Sequence, residues 1–309
     1  MQKYRSYVLP AAIILGLIFH REVAWANFLV PYVIFCSLTI NFSPADIRHL
    51  HLKRLHLWLA LIQTIGSTIC YFFLRMLGVD EIICQGILIG IICPVAAAVG
   101  AISAMLGADI NTVTSYTIIG NIFVPLMAAI IFSITGTQPD LTFMTSAWLI
   151  LRHTIPPLVF PILLVYVFQR WVPNVNNYLV RHRTAGFYLW ALAILLTIGK
   201  TIDFVYLHGE GHWNSIGWLT ISSLILCAVQ FGIGKWIGHQ YGDTIAGGQL
   251  LGQKNTAMGI WMANSFLNPL CSVLLAFYSV FQNAFNSWQL WHHDKLISGT
   301  SSPETISQH

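Results

Sequence analysis

Residues 86–100 read GILIGIICPVAAAVG, an apolar stretch with Pro94 near its middle. A proline lacks the backbone N–H and its ring clashes with the preceding turn, so it interrupts a helix. Inside a bilayer, the backbone groups freed by such a break must be bound by protein, water or substrate. This stretch therefore predicts a broken membrane helix with a polar site beside the break.

A second apolar stretch, residues 247–256, reads GGQLLGQKNT and is interrupted by polar side chains instead of a proline. Lys254 stands in its middle, flanked by Gln253 on one side and by Asn255 and Thr256 on the other. An ammonium group at mid-membrane costs about 2.5 kcal/mol or more on insertion scales. We therefore expect Lys254 to face a cavity, bind a partner or lose its proton. The alternative is a lysine that snorkels from a shorter span.

Apolar runs extend outward from these two stretches over almost the whole chain. The 309 residues are 56% hydrophobic and 8% charged, whereas about a quarter of the residues are charged in a soluble domain. The runs are about 20 residues long, as needed to cross about 30 Å of hydrocarbon, and they do not alternate as barrel strands do. We predict an all-α membrane protein with ten transmembrane helices. The spans cover approximately residues 7–20, 26–42, 56–77, 80–106, 110–135, 144–169, 184–206, 213–236, 243–263 and 266–290.

The two interruptions fall in the fourth and ninth spans, which occupy matching positions in the two halves of five spans. An odd number of spans per half gives the halves opposite orientations, so the pattern predicts a 5+5 inverted repeat with broken helices that cross near the midplane. We expect Pro94, Gly100 and Gly252 at this crossover. The alternative is an incidental proline kink and a loop misread as a span. Residues 1–290 would form one transmembrane unit, followed by a polar tail at 291–309.

The basic residues report topology. They lie in short loops that share one side if ten spans are present: Lys3, Arg5, Arg48, Lys53, Arg54, Arg170, Arg181, Arg183 and Lys235. The rule that Lys and Arg collect on the cytoplasmic side then places both termini in the cytoplasm, for a multi-pass protein of the inner (plasma) membrane. These residues form no continuous basic patch, so nucleic acid is not an expected partner.

No spacing in the sequence indicates an enzyme. The spans contain neither a Ser-His arrangement nor paired aspartates nor a His-Glu motif on a helix, and the six cysteines lie singly in apolar runs. We therefore expect no catalytic residues, no metal and no cofactor.

Three stretches carry a family resemblance: residues 42–46 (FSPAD), residues 93–125 from Cys93-Pro94 through Gly107-Ala-Asp109 to Pro125, and residues 252–255 (GQKN). In these stretches the chain resembles the bile acid:sodium symporter family. The resemblance implies a core of spans 3–5 and 8–10, a panel of spans 1, 2, 6 and 7, and alternating access by movement between them. It also implies an organic anion as substrate, carried by family members together with sodium.

The sodium ligands are where the chain departs from the family. One family site uses a Ser-Asn pair soon after the Cys-Pro, hydroxyls in span 5 and an acidic residue in span 9. The corresponding positions read Val99 and Gly100, Val113, and Leu250. Of that set only Thr117 remains.

The other family site uses a glutamine in span 3, which Gln63 matches, and a glutamine in span 9, which Lys254 replaces. Hard cations need several oxygen ligands, and a lysine ammonium repels sodium from the same pocket. We therefore expect that sodium is not bound.

The candidate substrate- or ion-binding residues surround the two breaks. They are Lys254, Gln63, Thr117, Asn121, Gln253, Asn255 and Thr256. We expect the Lys254 ammonium to replace the bound cation by contacting Gln63, Thr117 or half-helix carbonyls. The leading hypothesis is a sodium-independent carrier of a small organic anion in the lipid bilayer. The alternatives are a cation/proton antiporter, which normally needs an intramembrane carboxylate, and a membrane sensor or scaffold that transports nothing.

Overall fold

A computed structural model describes residues 5–44, 51–96, 99–135 and 142–300 of the chain. Helices and their short links make up these residues, without a named strand among them. The helices are α1 (Arg5–Ile18), α2 (His20–Trp25), α3 (Val30–Phe42), α4 (Arg54–Leu61), α5 (Ser67–Met76), α6 (Glu81–Ile92), α7 (Val99–Leu106), α8 (Ile110–Thr135), α9 (Phe143–Trp171), α10 (Pro173–Arg181), α11 (Thr184–His208), α12 (Trp213–Gln240), α13 (Thr244–Gly252), α14 (Thr256–Phe266) and α15 (Ser272–Thr300).

Each predicted span falls on one helix or on a pair of helices. Span 3 comprises α4 and α5, joined by one π-helical turn at Ile62–Gly66. Span 4 is split into α6 and α7, and span 9 is split into α13 and α14, as their sequences predict. The other seven spans correspond to α1, α3, α8, α9, α11, α12 and α15.

Four of the described helical segments are long and apolar enough to cross a membrane. They are Arg54–Met76, Ile110–Thr135, Thr184–Leu207 and Trp213–Gln240. Shorter apolar helices occur at Val30–Phe42, Glu81–Ile92 and Val159–Trp171. The structure thus agrees with an all-α membrane protein. The count of ten spans and the inverted repeat stay predictions.

The end of the chain differs from its predicted boundaries. Span 10 was expected at 266–290, but residues 269–271 form a 3₁₀ turn that starts at Pro269, and α15 runs from Ser272 to Thr300. The first ten residues of the predicted tail are therefore helical. They contain no proline, and Lys295 stacks its ammonium 5.3 Å from the Trp291 ring, a contact that helical spacing allows. Residues 301–309 lie outside the described part of the chain, as do Lys3, Ala45, Asp46 and Arg48 of the sequence arguments.

Two connecting helices were not predicted, because both are short. α2 lies between spans 1 and 2, and α10 lies between spans 6 and 7, with Pro173 in its first turn, where a proline is well tolerated. Neither has a buried residue among those described. They are surface connections and leave the order of the spans unchanged.

Glycines bring α13 against α12. A Cβ placed on Gly247 would lie 2.3 Å from the Gly234 carbonyl oxygen and 2.6 Å from the Gly238 Cα. Small residues at such positions let membrane helices approach until their backbones touch. α13, the first half of span 9, therefore packs directly on the backbone of α12.

A polar cluster joins the links beside the two half-helices α7 and α13. Lys53 Nζ lies 2.9 Å from Asp109 Oδ2, the Asn111 amide donates to Asp109 Oδ1, and the Asp109 amide donates to Asp243 Oδ2 at 3.1 Å. Partial burial raises the pKa of Asp109, but hydrogen bonds from Thr112, Lys53 and the Asn111 amide outweigh it and lower the pKa from 3.8 to about 2. We call this side of the molecule the Lys53 end.

Candidate functional site

The two breaks lie against each other. Val95 and Lys254 form an isolated antiparallel β-bridge. The Ala96 amide donates to the Gln253 carbonyl at 3.1 Å, and the Asn255 amide donates to the Pro94 carbonyl at 2.8 Å. We call residues 93–96 and 252–256 the crossover. Its extended segments satisfy each other's backbone groups, as a membrane interior requires.

The proline break leaves backbone groups without a partner in their own helix, and side chains from other helices form hydrogen bonds with them. Because Pro94 has no N–H, the Gly90 carbonyl has lost its helical donor, and it accepts from Gln230 Nε2 at 3.2 Å. The Val95 amide has left the helix and donates to Asn121 Oδ1 at 3.0 Å. The predicted residue Asn121 is therefore part of the crossover, whereas Gln230 of α12 was not predicted.

Lys254 supplies the donor for the next free carbonyl. Its side chain is 1% exposed, and Nζ donates to the Ile91 carbonyl at 2.7 Å. Ile91 lies in the last turn of α6, where unpaired carbonyls carry the negative end of the helix dipole. Lys254 takes part in no ion pair within the described ranges. The ammonium thus stabilises the C-terminal end of a half-helix, one of the contacts that the sequence predicts.

Gln282 of α15 holds Lys254 from the other side. Its Oε1 accepts from the Lys254 amide at 2.8 Å, and its Nε2 donates to the Lys254 carbonyl at 3.1 Å. The Tyr278 hydroxyl donates to the Gly252 carbonyl at 2.8 Å. The sequence reasoning missed both residues. The available signal was the recurrence of Gln and Asn along the tenth span, at positions 282, 283, 286 and 289.

Gln63 binds the proline break from span 3. It lies in the π-helical turn and is fully buried. Nε2 donates to the Cys93 carbonyl at 3.2 Å, and Oε1 accepts from the Tyr116 hydroxyl. Thr117, by contrast, donates to the Val113 carbonyl of its own helix at 2.7 Å. Of these two predicted residues, only Gln63 has a hydrogen bond to the crossover.

The remaining predicted residues flank the span 9 break. Asn255 caps α14 by accepting from the Met258 amide at 3.3 Å, and Gln253 donates to Gln249 Oε1. At Gly252 a Cβ would lie 2.4 Å from the Phe231 ring, so only glycine fits there. Gly100 lies in the first turn of α7, beyond the paired segment.

Three positions at which the resemblance led us to look for sodium ligands come together as hydrocarbon. Val99, Val113 and Leu250 belong to one buried hydrophobic cluster that also contains Val95 and Tyr116. Val99 is 1% exposed, and Val113 and Leu250 are fully buried. Gly100 of the same set is not in this cluster. Aliphatic side chains offer a cation no ligand.

A cleft of about 380 Å³ borders the crossover. One wall is polar and includes Lys254, Asn255, Thr256 and Gln282. The facing wall comes from α3 and α11 and is mainly apolar, with Ile34, Trp190, Ala193 and Ile194. Asn255 Nδ2 is buried and has no hydrogen-bond partner in the described part of the chain. The cleft therefore has a polar side and an apolar side, as sites for small molecules commonly do.

The comparisons with known proteins add no assignment to this geometry. No group of three or more His, Cys, Asp or Glu side chains suited to a metal ion occurs in the searched, described residues. No protein-family profile matches the chain, and no curated protein matches it. The site is thus defined by its own residues: two paired breaks, a buried lysine on a helix C-terminus, and a cleft beside them.

Proposed function

We propose that the chain is a secondary transporter that moves a small organic anion by alternating access, without sodium, and that Lys254 replaces a bound cation. The observation that carries this proposal is the 2.7 Å contact of Lys254 Nζ with the Ile91 carbonyl at the C-terminal end of α6. In carriers with broken helices, such half-helix ends coordinate the coupling cation. A tethered ammonium supplies the same charge and needs no ion from solution.

The arrangement of the breaks supports a ten-span inverted repeat. The fourth and ninth predicted spans both consist of helix, extended segment and helix, and their extended segments pair antiparallel. Two halves related by an axis in the membrane plane would give this antiparallel pairing. Both termini then lie in the cytoplasm and the protein is a multi-pass component of the inner membrane, because the Lys53 end carries the basic loops.

The sodium-independent part of the proposal rests on both former ion positions. Val99, Val113 and Leu250 fill one of them with hydrocarbon. At the other position, Gln63 already donates to the Cys93 carbonyl and accepts from the Tyr116 hydroxyl. The ammonium of Lys254 would repel a sodium ion close by.

The cleft supports an organic anion as substrate. The α14 N-terminus opens beside it with Asn255 and Thr256, and a helix N-terminus favours negative charge. The facing wall from α3 and α11 belongs to the expected panel, so movement of panel against core would open and close the cleft.

The test is uptake of radiolabelled carboxylates and sulfonates into proteoliposomes, with sodium or potassium as the only cation. We expect equal uptake in both salts for the wild type. Lys254→Gln should lose uptake or make it depend on sodium, because it removes the tethered charge. Lys295→Gln is the matched control, since Lys295 lies far along α15 from the crossover, and it should transport normally.

Other outcomes would assign a different function. Uptake by the wild type that requires sodium would contradict the proposed role of Lys254. Folded protein that moves none of the anions but dissipates a pH gradient on addition of a cation would identify a cation/proton antiporter. Protein inactive in both assays would be the sensor or scaffold.

A further inference from the structure

α15 carries a row of buried polar side chains that continues from the crossover towards the Lys53 end. The row consists of Ser279, Gln282, Asn283, Asn286 and Gln289, each at most 9% exposed. At about 100° per residue these side chains fall in a sector about 120° wide. One face of this helix is therefore polar although it is buried.

Amide side chains link the crossover to this row. Gln253 Nε2 donates to Gln249 Oε1 at 2.5 Å, and Gln249 Nε2 donates to Asn286 Oδ1 at 3.3 Å. The two ends of this hydrogen-bonded series are unpaired: Gln253 Oε1 and Asn286 Nδ2 have no hydrogen-bond partner among the described residues. The series thus has an unpaired acceptor at the crossover and an unpaired donor on α15.

Two further side-chain atoms of the row lack a hydrogen-bond partner in the described residues. Asn283 donates to the Ser279 carbonyl at 2.7 Å, but its Oδ1 has no partner in the described ranges, nor has Gln289 Nε2. Each buried polar atom left unpaired costs about 1–3 kcal/mol. Two acceptors and two donors cannot all be served by a cation or by an anion, whereas a water molecule donates and accepts.

The row extends to the Lys53 end. From Gln282, which binds Lys254, to Gln289 is seven residues, or about 10 Å of helix. The next residue, Leu290, packs in a hydrophobic cluster with Leu106 and Phe187. Gln289 is the most exposed member of the row.

Only the start of the row borders the cleft: Ser279 and Gln282 line it, whereas Asn283, Asn286 and Gln289 are not among its lining residues. Trp190 and Ile194 also line the cleft, and both belong to the hydrophobic cluster that contains Leu106 and Leu290. The part of the row from Asn283 to Gln289 therefore lies outside the cleft lining, and Asn286 faces Gln249 of α13.

We propose that α13 and α15 enclose a water-filled compartment, bounded by Gln249, Gln253, Asn283, Asn286 and Gln289, which brings water from the Lys53 end to the crossover. Water in this compartment completes the hydrogen bonding of the amides behind the span 9 break. It also gives the break a polar partner during any rearrangement. The compartment does not depend on whether the chain transports an anion.

The experiment is X-ray radiolytic labelling of the full-length protein in detergent, read by mass spectrometry. Radiolysis forms hydroxyl radicals wherever water is bound, so a reactive thiol beside buried water is oxidised even when it is inaccessible from bulk. Asn286→Cys and Asn283→Cys place thiols in the compartment. Leu275→Cys is the matched control, because Leu275 is fully buried on the same helix in a hydrophobic cluster, and the native Cys271 of that cluster is an internal reference.

We expect the introduced thiols of Asn286→Cys and Asn283→Cys to be oxidised about tenfold faster than that of Leu275→Cys, because water is bound in polar cavities and not in apolar ones. Rates equal to those of Leu275→Cys and Cys271 would show that the site is dry and would overturn the proposal. If one of the two variants does not fold, the other decides by the same criterion.

Discussion

The two breaks at the crossover have different origins. The span 4 break contains Pro94 between Cys93 and Val95, so a missing N–H enforces it. The span 9 break contains no proline, and nothing covalent prevents Gln253 and Lys254 from continuing the helix. The first break is built into the chain, whereas the second exists because partners on other helices hold it open.

The chemistry of the two breaks is complementary. The proline break leaves carbonyls that need donors, and one of them is the Ile91 carbonyl. The span 9 break supplies a donor through the Lys254 side chain, and its own backbone is held by Gln282, which accepts from the Lys254 amide and donates to the Lys254 carbonyl. The difference teaches that the absence of a backbone N–H enforces the span 4 break, whereas the span 9 break depends on its hydrogen-bond partners.

The largest effect is expected at Leu250, in the half-helix before the span 9 break. Leu250→Glu would bury a carboxylate among Val99 and Val113, and an uncompensated buried charge costs about 3–5 kcal/mol of unfolding free energy. Thermal unfolding in detergent should show a large loss in sodium and in potassium alike. Leu250→Met keeps the volume and should cost less than about 1.5 kcal/mol. Recovery of Leu250→Glu in sodium alone would mean that sodium ligands remain here.

A smaller effect separates the two breaks directly. Gln282→Leu leaves the Lys254 amide unpaired, whereas the Lys254 carbonyl keeps its hydrogen bond from the Thr256 amide at 2.9 Å. Asn121→Leu leaves the Val95 amide unpaired but also removes Asn121 Nδ2, which has no partner among the described residues. At about 2 kcal/mol per buried orphan, we expect a loss of about 2 kcal/mol in unfolding free energy for Gln282→Leu and a smaller loss for Asn121→Leu. The exposed Gln240→Leu is the control and should change it by about 0.5 kcal/mol or less. An equal or larger loss for Asn121→Leu would contradict the view that span 9 depends more on its partners.

The smallest effect is expected where α7 and α13 are joined at the Lys53 end. Because the pKa of Asp109 is about 2 when folded and 3.8 in the unfolded reference, its contribution to stability is present above pH 3.8 and is lost as the pH falls towards 2. Asp109 and Lys53 are both nearly half exposed, so the contribution is small. The melting temperature of Asp109→Asn should be slightly lower than that of the wild type at pH 6, and this difference should be smaller at pH 2.5.

The control for this measurement is Glu210→Gln, in the exposed link before α12. Its difference from the wild type should not change in the same pH window. A gap between Asp109→Asn and the wild type that stays constant from pH 6 to pH 2.5 would show that the Asp109 carboxylate does not stabilise the fold.

Local signals in the sequence predict much of this site. Pro94 in an apolar run predicts the first break, and the cost of burying an ammonium predicts that Lys254 faces a cavity, binds a partner or loses its proton, among which the structure shows a hydrogen-bond partner. Gln230, Tyr278 and Gln282 were not predicted as site residues, because a polar side chain in an apolar span does not reveal which helix it faces. The helices α2 and α10 were missed because both are short links between spans, and hydropathy identifies only long apolar runs.

The sequence by itself determined the helical class and the positions of both breaks. These follow from hydropathy and from local backbone chemistry, which act over a few residues. Only the tertiary structure decided that the two breaks pair, that Lys254 binds the Ile91 carbonyl, and that Val99, Val113 and Leu250 pack in one buried hydrophobic cluster. Those contacts join residues about 150 positions apart, and the packing of helices across that separation is set by side-chain shape, which no local pattern records.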